Sequence, residues 1–200
     1  MTTPPRVTDV TIALASKSPR RRELLGMVFP DVRIAPVKDV EENYPADLPA
    51  HEVPQWLSRL KAAAHIDVLN PGEILLTADT VVIIDGEILG KPADEEDACR
   101  MLERLAGNTH TVVTGVTLSD AAGAMSSFSD TTDVEMTRLS AEEIKAYVDV
   151  YKPLDKAGAY GIQEWIGGVG IKAIHCSFYN VMGLPLHAVY REVRKMLGHP

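Results

Sequence analysis

Apolar positions recur with two different periods along the chain, and the changes between them divide it into elements. The run DVTIALA, residues 9–15, is short and apolar throughout and fits a buried strand. From residue 18 to about 28 the period becomes helical. Ser18 suits an N-cap and Pro19 the first helical position, while Leu24, Leu25, Met27 and Val28 fall on one stripe at about 100° per residue. DVRIAPV, residues 31–37, reads as a second strand, and the acidic, proline-broken KDVEENYPADLP after it as a loop. Residues 51–69 carry Val53, Trp56, Leu57, Leu60 and Ala64 at three-to-four spacing, which predicts a helix.

The strongest β pattern is EILLTADTVVIIDGEILGKP, residues 73–92, rich in Ile and Val with Asp85-Gly86 as a hairpin turn pair. A helix over 94–106 follows, acidic early, with Arg104 late and Gly107 as C-terminal cap. Residues 110–120 and 127–139 read as two strands joined by small turn residues. Ser140 opens another helix and Glu143 completes a capping box. The chain closes with a glycine-rich stretch (158–170), a strand-like stretch (170–181) and a helix from about 185 to 197. Strands and helices mix without strict alternation, and the long hairpin-like pieces favour a mixed sheet over a parallel one. With no repeat and no linker, residues 1–200 are expected to form one α/β domain with two lobes around a cleft.

Composition narrows the function. The hydrophobic fraction is 46% and the formal charge −8, which argues against a binder of nucleic acid polymers but leaves room for a small anion held by local cations. Two cysteines, Cys99 and Cys176, without a CxxC favour a reducing compartment. No apolar run approaches the ~20 residues of a membrane span, and the leading MTTPPRVTDV has no apolar signal core. A cytoplasmic protein is expected.

Three arginines at a helix start are unusual, because that end attracts acids. On the helical wheel Arg20 and Arg21 lie on the flank of the apolar stripe and Arg22 on the solvent side. Inward arginines with exposed helix N–H groups suit a phosphate or carboxylate. An internal salt bridge, or stems snorkelling outward, is the competing reading. Asp79 lies inside an apolar run where a carboxylate is costly to bury. It is expected at a strand end or facing a cleft, as general base or cation ligand, or else satisfied by backbone N–H groups. Lys91, between Gly90 and Pro92, could present a point charge to phosphate. Lys61 flanks the stripe of its helix. Glu41 and Glu42 are either solvated or share a Mg²⁺ with phosphates. DKAGAYGIQEWIGGVG packs small residues around Tyr160 and Gln163, as backbone near a flat ligand would require. The six histidines show no metal-ligand spacing and are read as structural or surface residues.

Taken in order, LASKSPRRRELL, EENYP, RLKA, ADTVV, ILGKP, TGV, DKAGAYGIQ and NVMGLPL resemble the Maf family of nucleoside triphosphate pyrophosphatases over residues 12–186. The resemblance implies a mixed twisted sheet with flanking helices and two lobes around a deep cleft, like the inosine triphosphate pyrophosphatases. It also implies a homodimer, and hydrolysis of a nucleoside triphosphate to monophosphate and pyrophosphate with a divalent metal, Mg²⁺ or Mn²⁺. DKAGAYGIQ looks like the branch acting on dTTP and UTP. The same chemistry on another base, such as 7-methyl-GTP, and a nucleotide-binding role in cell division are the alternatives. By resemblance, Asp79 accepts the proton of water; Arg20, Thr80 and Gln163 select the substrate; Ser16, Arg21, Lys61 and Lys91 hold phosphates; Glu42 and Asp79 hold metal. Gln163 offers one donor and one acceptor, which suits the O4/N3–H edge of uracil or thymine. Two positions depart from the family pattern, each standing where glycine is expected: Cys176 and Glu164.

Overall fold

The computed structural model describes residues 9–199. Residues 1–8, which make up most of the leading stretch read as lacking a signal core, and Pro200 lie outside the described residues. The strands form a seven-stranded mixed sheet. β1 (Thr11–Leu14) runs parallel to β2 (Val32–Ile34) and to β3 (Glu73–Ile84), with Ile12 opposite both Val32 and Ile74. β4 (Glu87–Leu89) folds back antiparallel on β3. Asp85 and Gly86 connect them at φ +53° and +79°, the pair of positive values that a two-residue type I′ turn demands. β5 (Thr109–Asp120) and β6 (Met125–Met136) follow, and β7 (Ile171–His175) is antiparallel to β6. In hydrogen-bonding order the strands run β2-β1-β3-β5-β6-β7.

The chain divides into two compact units and passes between them inside β3 after Asp79, inside β5 after Val113, inside β6 after Asp130, and again after Met182. The first unit holds β1, β2, α1 (Pro19–Gly26), α2 (Val53–His65) and α7 (Leu186–Met196). β1 is paired on both edges, so Ile12, Ala13 and Leu14 are fully buried. Arg33 of β2 and Glu73 of β3 form a two-pronged pair, with Nε 2.6 Å from Oε1. That arginine, with the Asn70 amide, holds the Glu73 carboxyl down at about 2. α2 lies directly on β5. A Cβ at Gly115 would come within 2.2 Å of the Pro54 and Gln55 backbone, and Ser58 Oγ bonds Thr117 Oγ1 at 2.8 Å. The glycine of TGV therefore admits a helix, not a ligand.

The second unit holds β4, α3 (Glu95–Leu105), α4 (Ala141–Tyr151), α5 (Trp165–Gly170), β7 and α6 (Phe178–Val181). Val82, Leu102, Leu105, Ile144, Tyr147 and Ile166 are among its buried core. α3 starts at an Asp94 cap, and α4 carries the full Ser140–Glu143 capping box. One sequence reading is filled in here and one needs correction. The glycine-rich stretch 158–170, to which the pattern assigned no element, contains α5. Gly167 sits where a Cβ would be 1.7 Å from the Ile162 carbonyl oxygen, so its small size serves the chain's own fold-back. The strand reading over 170–181 overruns by about half: β7 ends at His175, and Ser177 caps α6 by accepting from the Asn180 amide at 3.3 Å.

The reversal between them falls on Cys176, at φ +118°, a backbone region that suits glycine. Cys176→Gly is expected to relieve that strain and raise stability by about 1 kcal/mol after the flexibility cost of glycine. A melting temperature higher by about 2–4 °C would show it, and a lower one would refute it.

His110 supplies a pH dependence. Its ring is buried, with Nε2 2.7 Å from the Tyr160 hydroxyl and Nδ1 without a hydrogen-bond partner among the described residues. Burial pushes its pKa down to about 4, against the weaker pull of Asp133. Below the unfolded value of about 6.5 the unfolded chain takes up a proton that the folded chain refuses, so stability falls as pH drops through this window. The expected loss between pH 7 and 4.5 is about 2–3 kcal/mol. Urea unfolding of the native chain and His110→Gln at both pH values measures it, and an equal loss in both proteins would refute the assignment.

Candidate active site

β1 ends at Leu14 and the chain turns through Ser16 into α1. Ser18 caps that helix, its hydroxyl accepting from the Arg21 amide at 3.4 Å, while its own amide donates to Ser16 Oγ at 3.2 Å. Arg20 and Arg21 are half-buried and Arg22 is exposed, the division the wheel predicts. The stripe itself is shorter than expected. Leu24 and Leu25 are buried, but Met27 is 50% exposed, because the helix ends at Gly26 and the wheel ends with it. Phe29, which the pattern missed, is buried instead and packs against Tyr190.

Arg21 bonds backbone as well as sensing charge. Nε donates to the Gly183 carbonyl at 2.9 Å, and Nη1 to the Ala78 carbonyl at 2.8 Å and to Ser16 Oγ at 3.4 Å. Burial lowers its pKa; Asp79 opposes that shift, Arg20 adds to it, and Glu42 opposes it. Asp79 is not at a strand end, as one reading expected. It lies in the middle of β3, but past the point where β1 stops pairing at Leu76. There its carboxylate, 15% exposed, meets Lys61 of α2, with Nζ 2.6 Å from Oδ1. Glu42 Oε1 reaches the same ammonium at 2.8 Å.

The loop carrying Glu42 is tied to α2 by two contacts with no sequence signature. Trp56 Nε1 donates to the Asn43 carbonyl at 3.0 Å. The Lys38 amide donates to His65 Nε2 at 2.8 Å, so the ring proton sits on Nδ1 and is given to the Lys61 carbonyl at 2.7 Å. His65, read only as structural or surface, thus joins the Lys61 backbone to the segment leading to Glu42. Its lone position on the sequence gave no sign of this.

Ser16, Arg21, Glu42, Lys61 and Asp79, with Arg20 beside Arg21, therefore gather in the first unit. The carboxylates of Glu42 and Asp79 converge on one cation. Mg²⁺ commonly takes one or two protein carboxylates and completes its shell with phosphate oxygens and water. Among the described residues no three His, Cys, Asp or Glu side chains gather. The donor set fits a divalent ion that arrives with a phosphate ligand, not a cage built entirely of protein.

Thr80, Lys91 and Gln163 belong to the second unit. Thr80 follows Asp79 on β3 and is half-buried; Lys91 and Gln163 are exposed. The turn before Lys91 is anchored where the Gly158 amide donates to the Gly90 carbonyl at 3.0 Å. Gly158 has φ +66° and packs on Val82. Tyr160, expected beside a flat ligand, is 6% exposed and turned to His110, so it is core. Glu164, a departure from the family pattern, is held inside the unit by Lys156 and Tyr147.

Fold and site together define a mixed-sheet α/β protein with a carboxylate–lysine–arginine cluster beyond the carboxyl end of a parallel strand, where such sheets place ligands. The Maf-like protein family model matches residues 11–196, and the chain belongs to that family. A dTTP/UTP pyrophosphatase of Bacteroides thetaiotaomicron is 51% identical over 185 residues, 92% of this chain and 95% of the relative. A dTTP/UTP pyrophosphatase of Porphyromonas gingivalis is 50% identical, covering 92% of each. Among solved structures, the Staphylococcus aureus Ham1 protein aligns with a TM-score of 0.52 at 18% identity, over 91% of this chain and 99% of that one. That likeness supports the fold alone.

The inward and outward arginines are separable by experiment. Arg21→Met takes the donors from the Ala78 and Gly183 carbonyls and should cost about 2 kcal/mol or more, a melting temperature lower by roughly 4–8 °C. Arg22→Met should stay within about 0.5 kcal/mol. Equal effects would refute the division.

Proposed function

We propose that this chain hydrolyses dTTP and UTP to the monophosphate and pyrophosphate. The observation that carries the reading is the Asp79 carboxylate fixed 2.6 Å from Lys61, with Glu42 on the same ammonium and Arg21 alongside. A base is thereby set among cations, as water attack on a polyanion requires. The relatives named dTTP/UTP pyrophosphatase support the substrate class.

In this reading Asp79 accepts a proton from a water whose oxygen attacks the α-phosphorus. The bond from that phosphorus to the α–β bridging oxygen breaks, and pyrophosphate leaves with the bridging oxygen. Lys61 holds Oδ1 and so sets the rotation of the carboxylate. Ser16, Arg21, Lys61 and Lys91 bind phosphate oxygens; Arg20, Thr80 and Gln163 select the substrate. Glu42 and Asp79 would hold Mg²⁺ or Mn²⁺, which supplies Lewis-acid neutralisation of phosphate charge. Residues 1–200 act as one domain in a cytoplasmic homodimer, with no nucleic acid polymer or membrane as partner.

Asp79→Asn should keep binding a non-hydrolysable dTTP analogue while pyrophosphate release falls by about 10²–10⁴-fold. Unchanged release would remove Asp79 as the base. Rapid turnover of 7-methyl-GTP with negligible turnover of dTTP and UTP would overturn the substrate assignment.

A further inference from the structure

The segment that carries Glu42 lies along α2. Residues 38–43 have no regular secondary structure and are mostly exposed, and the Glu42 side chain is 53% exposed. Ordering such a segment costs more conformational entropy than one exposed ion pair returns. The pair with Lys61 therefore does not by itself account for where the Glu42 carboxylate stands. Ties at the two ends of the segment do. Lys38 meets the C-terminal end of α2, where its amide donates to His65 Nε2 at 2.8 Å and its ammonium pairs with Asp67. Asn43 meets the first turns of the helix, where its carbonyl accepts from Trp56 Nε1 at 3.0 Å. The segment thus runs antiparallel to α2, and Lys61 lies between the two ties.

The ties are unequal. Those made by Asp67 and Trp56 are exposed, whereas His65 is 2% exposed. A bond shielded from water is the one whose loss is costly. Both nitrogens of that ring are engaged: Nδ1–H donates to the Lys61 carbonyl at 2.7 Å and Nε2 accepts from Lys38. One rigid ring therefore sets the separation between the helical turn that bears Lys61 and the backbone four residues ahead of Glu42. We infer that His65 is a positioning residue. Through Lys38 it holds the Glu42 carboxylate at Lys61, whose Nζ also meets Asp79, so that the two acids stand where they would share a divalent ion. The inference rests on the reading of Glu42 and Asp79 as metal-holding residues in the hydrolysis of dTTP and UTP.

The two bonds of the ring can be separated by substitution. Asparagine carries its polar atoms at the δ position, so His65→Asn can still donate to the Lys61 carbonyl but does not reach Lys38. Glutamine carries them at the ε position, so His65→Gln can accept from the Lys38 amide and gives up the bond to Lys61. Trp56→Phe removes the donor at the other tie.

The test is pyrophosphate release from dTTP by the full chain at varied Mg²⁺. His65→Asn should need about tenfold more Mg²⁺ for its half-maximal rate, with kcat at saturating Mg²⁺ within about threefold of native. His65→Gln should stay within about twofold in both, and Trp56→Phe should need about threefold more Mg²⁺. Hydrogen exchange in the protein without metal or nucleotide gives a readout independent of turnover. The amides of residues 38–43 should exchange about tenfold faster in His65→Asn and near the native rate in His65→Gln. If both His65 variants fail to fold, Trp56→Phe decides by the same two measurements. An unchanged Mg²⁺ requirement in His65→Asn overturns the inference, and so do equal changes in His65→Asn and His65→Gln, the mark of a role in ending α2 alone. Glu42→Gln should raise the Mg²⁺ requirement while the segment exchanges at its native rate; an unchanged requirement there overturns the metal reading of Glu42. A native chain that releases no pyrophosphate from dTTP or UTP overturns the function reading itself, and the exchange rates then decide whether His65 holds the segment.

Discussion

The site depends on a carbonyl that its neighbouring strand does not reach. β1 is four residues long and its pairing with β3 stops at Leu76, yet β3 continues. Backbone polar groups withdrawn from water must be bonded, and at Ala78 the Arg21 side chain supplies the bond. That one demand fixes the start of α1 against β3. It brings a guanidinium beside Asp79 and, through the second bond to Gly183, joins the segment that leads into α7. The cluster is thus partly a consequence of unequal strand lengths.

The same arrangement accounts for cations at a helix start. A guanidinium that donates to carbonyls and lies beside Asp79 and Glu42 is stabilised by groups outside its own helix, and these outweigh the unfavourable end of the helix dipole, an effect of under about 1 kcal/mol at an exposed site. Lys61 plays a related part. Its ammonium joins two carboxylates that would otherwise repel each other, so the acids are held together before any phosphate or metal arrives. The scaffold under that lysine is rigid: Ser58, three residues earlier on α2, is bonded to Thr117 within the first unit, and His65, four residues later, holds the Lys61 carbonyl.

Where chemistry is local, the sequence revealed it. Asp85-Gly86, the Ser140–Glu143 box, the Ser18 cap and the sides taken by Arg20, Arg21 and Arg22 each follow from a few adjacent residues, and each is found. What was hidden depends on partners distant in sequence or on glycine. α5 has three glycines in six residues and no apolar period to mark it. α6 lies in an apolar stretch that continues the pattern of β7, and only the Ser177 cap separates them. His65 and Tyr160 carry no local sign of what they bond. At the site, Asp79 stood out because it interrupts an apolar run. That Glu42 would share Lys61 with Asp79 was not legible, since 37 positions separate the two acids; the sequence offered Glu42 only as an acid suited to a Mg²⁺ shared with phosphates. Glu164 appeared as a departure from pattern, and its partners Tyr147 and Lys156 explain how the unit accommodates it.

Gly115 carries a consequence for how this chain can change. With the Pro54–Gln55 backbone 2.2 Å from where a methyl group would stand, position 115 has no neighbouring amino acid in mutational space. Even alanine must push a whole helix, and with it the lysine six to seven residues along. Surface positions on the same strand can drift one substitution at a time. This one can change only together with the path of α2, which makes it a fixed point around which variants of the chain must be organised.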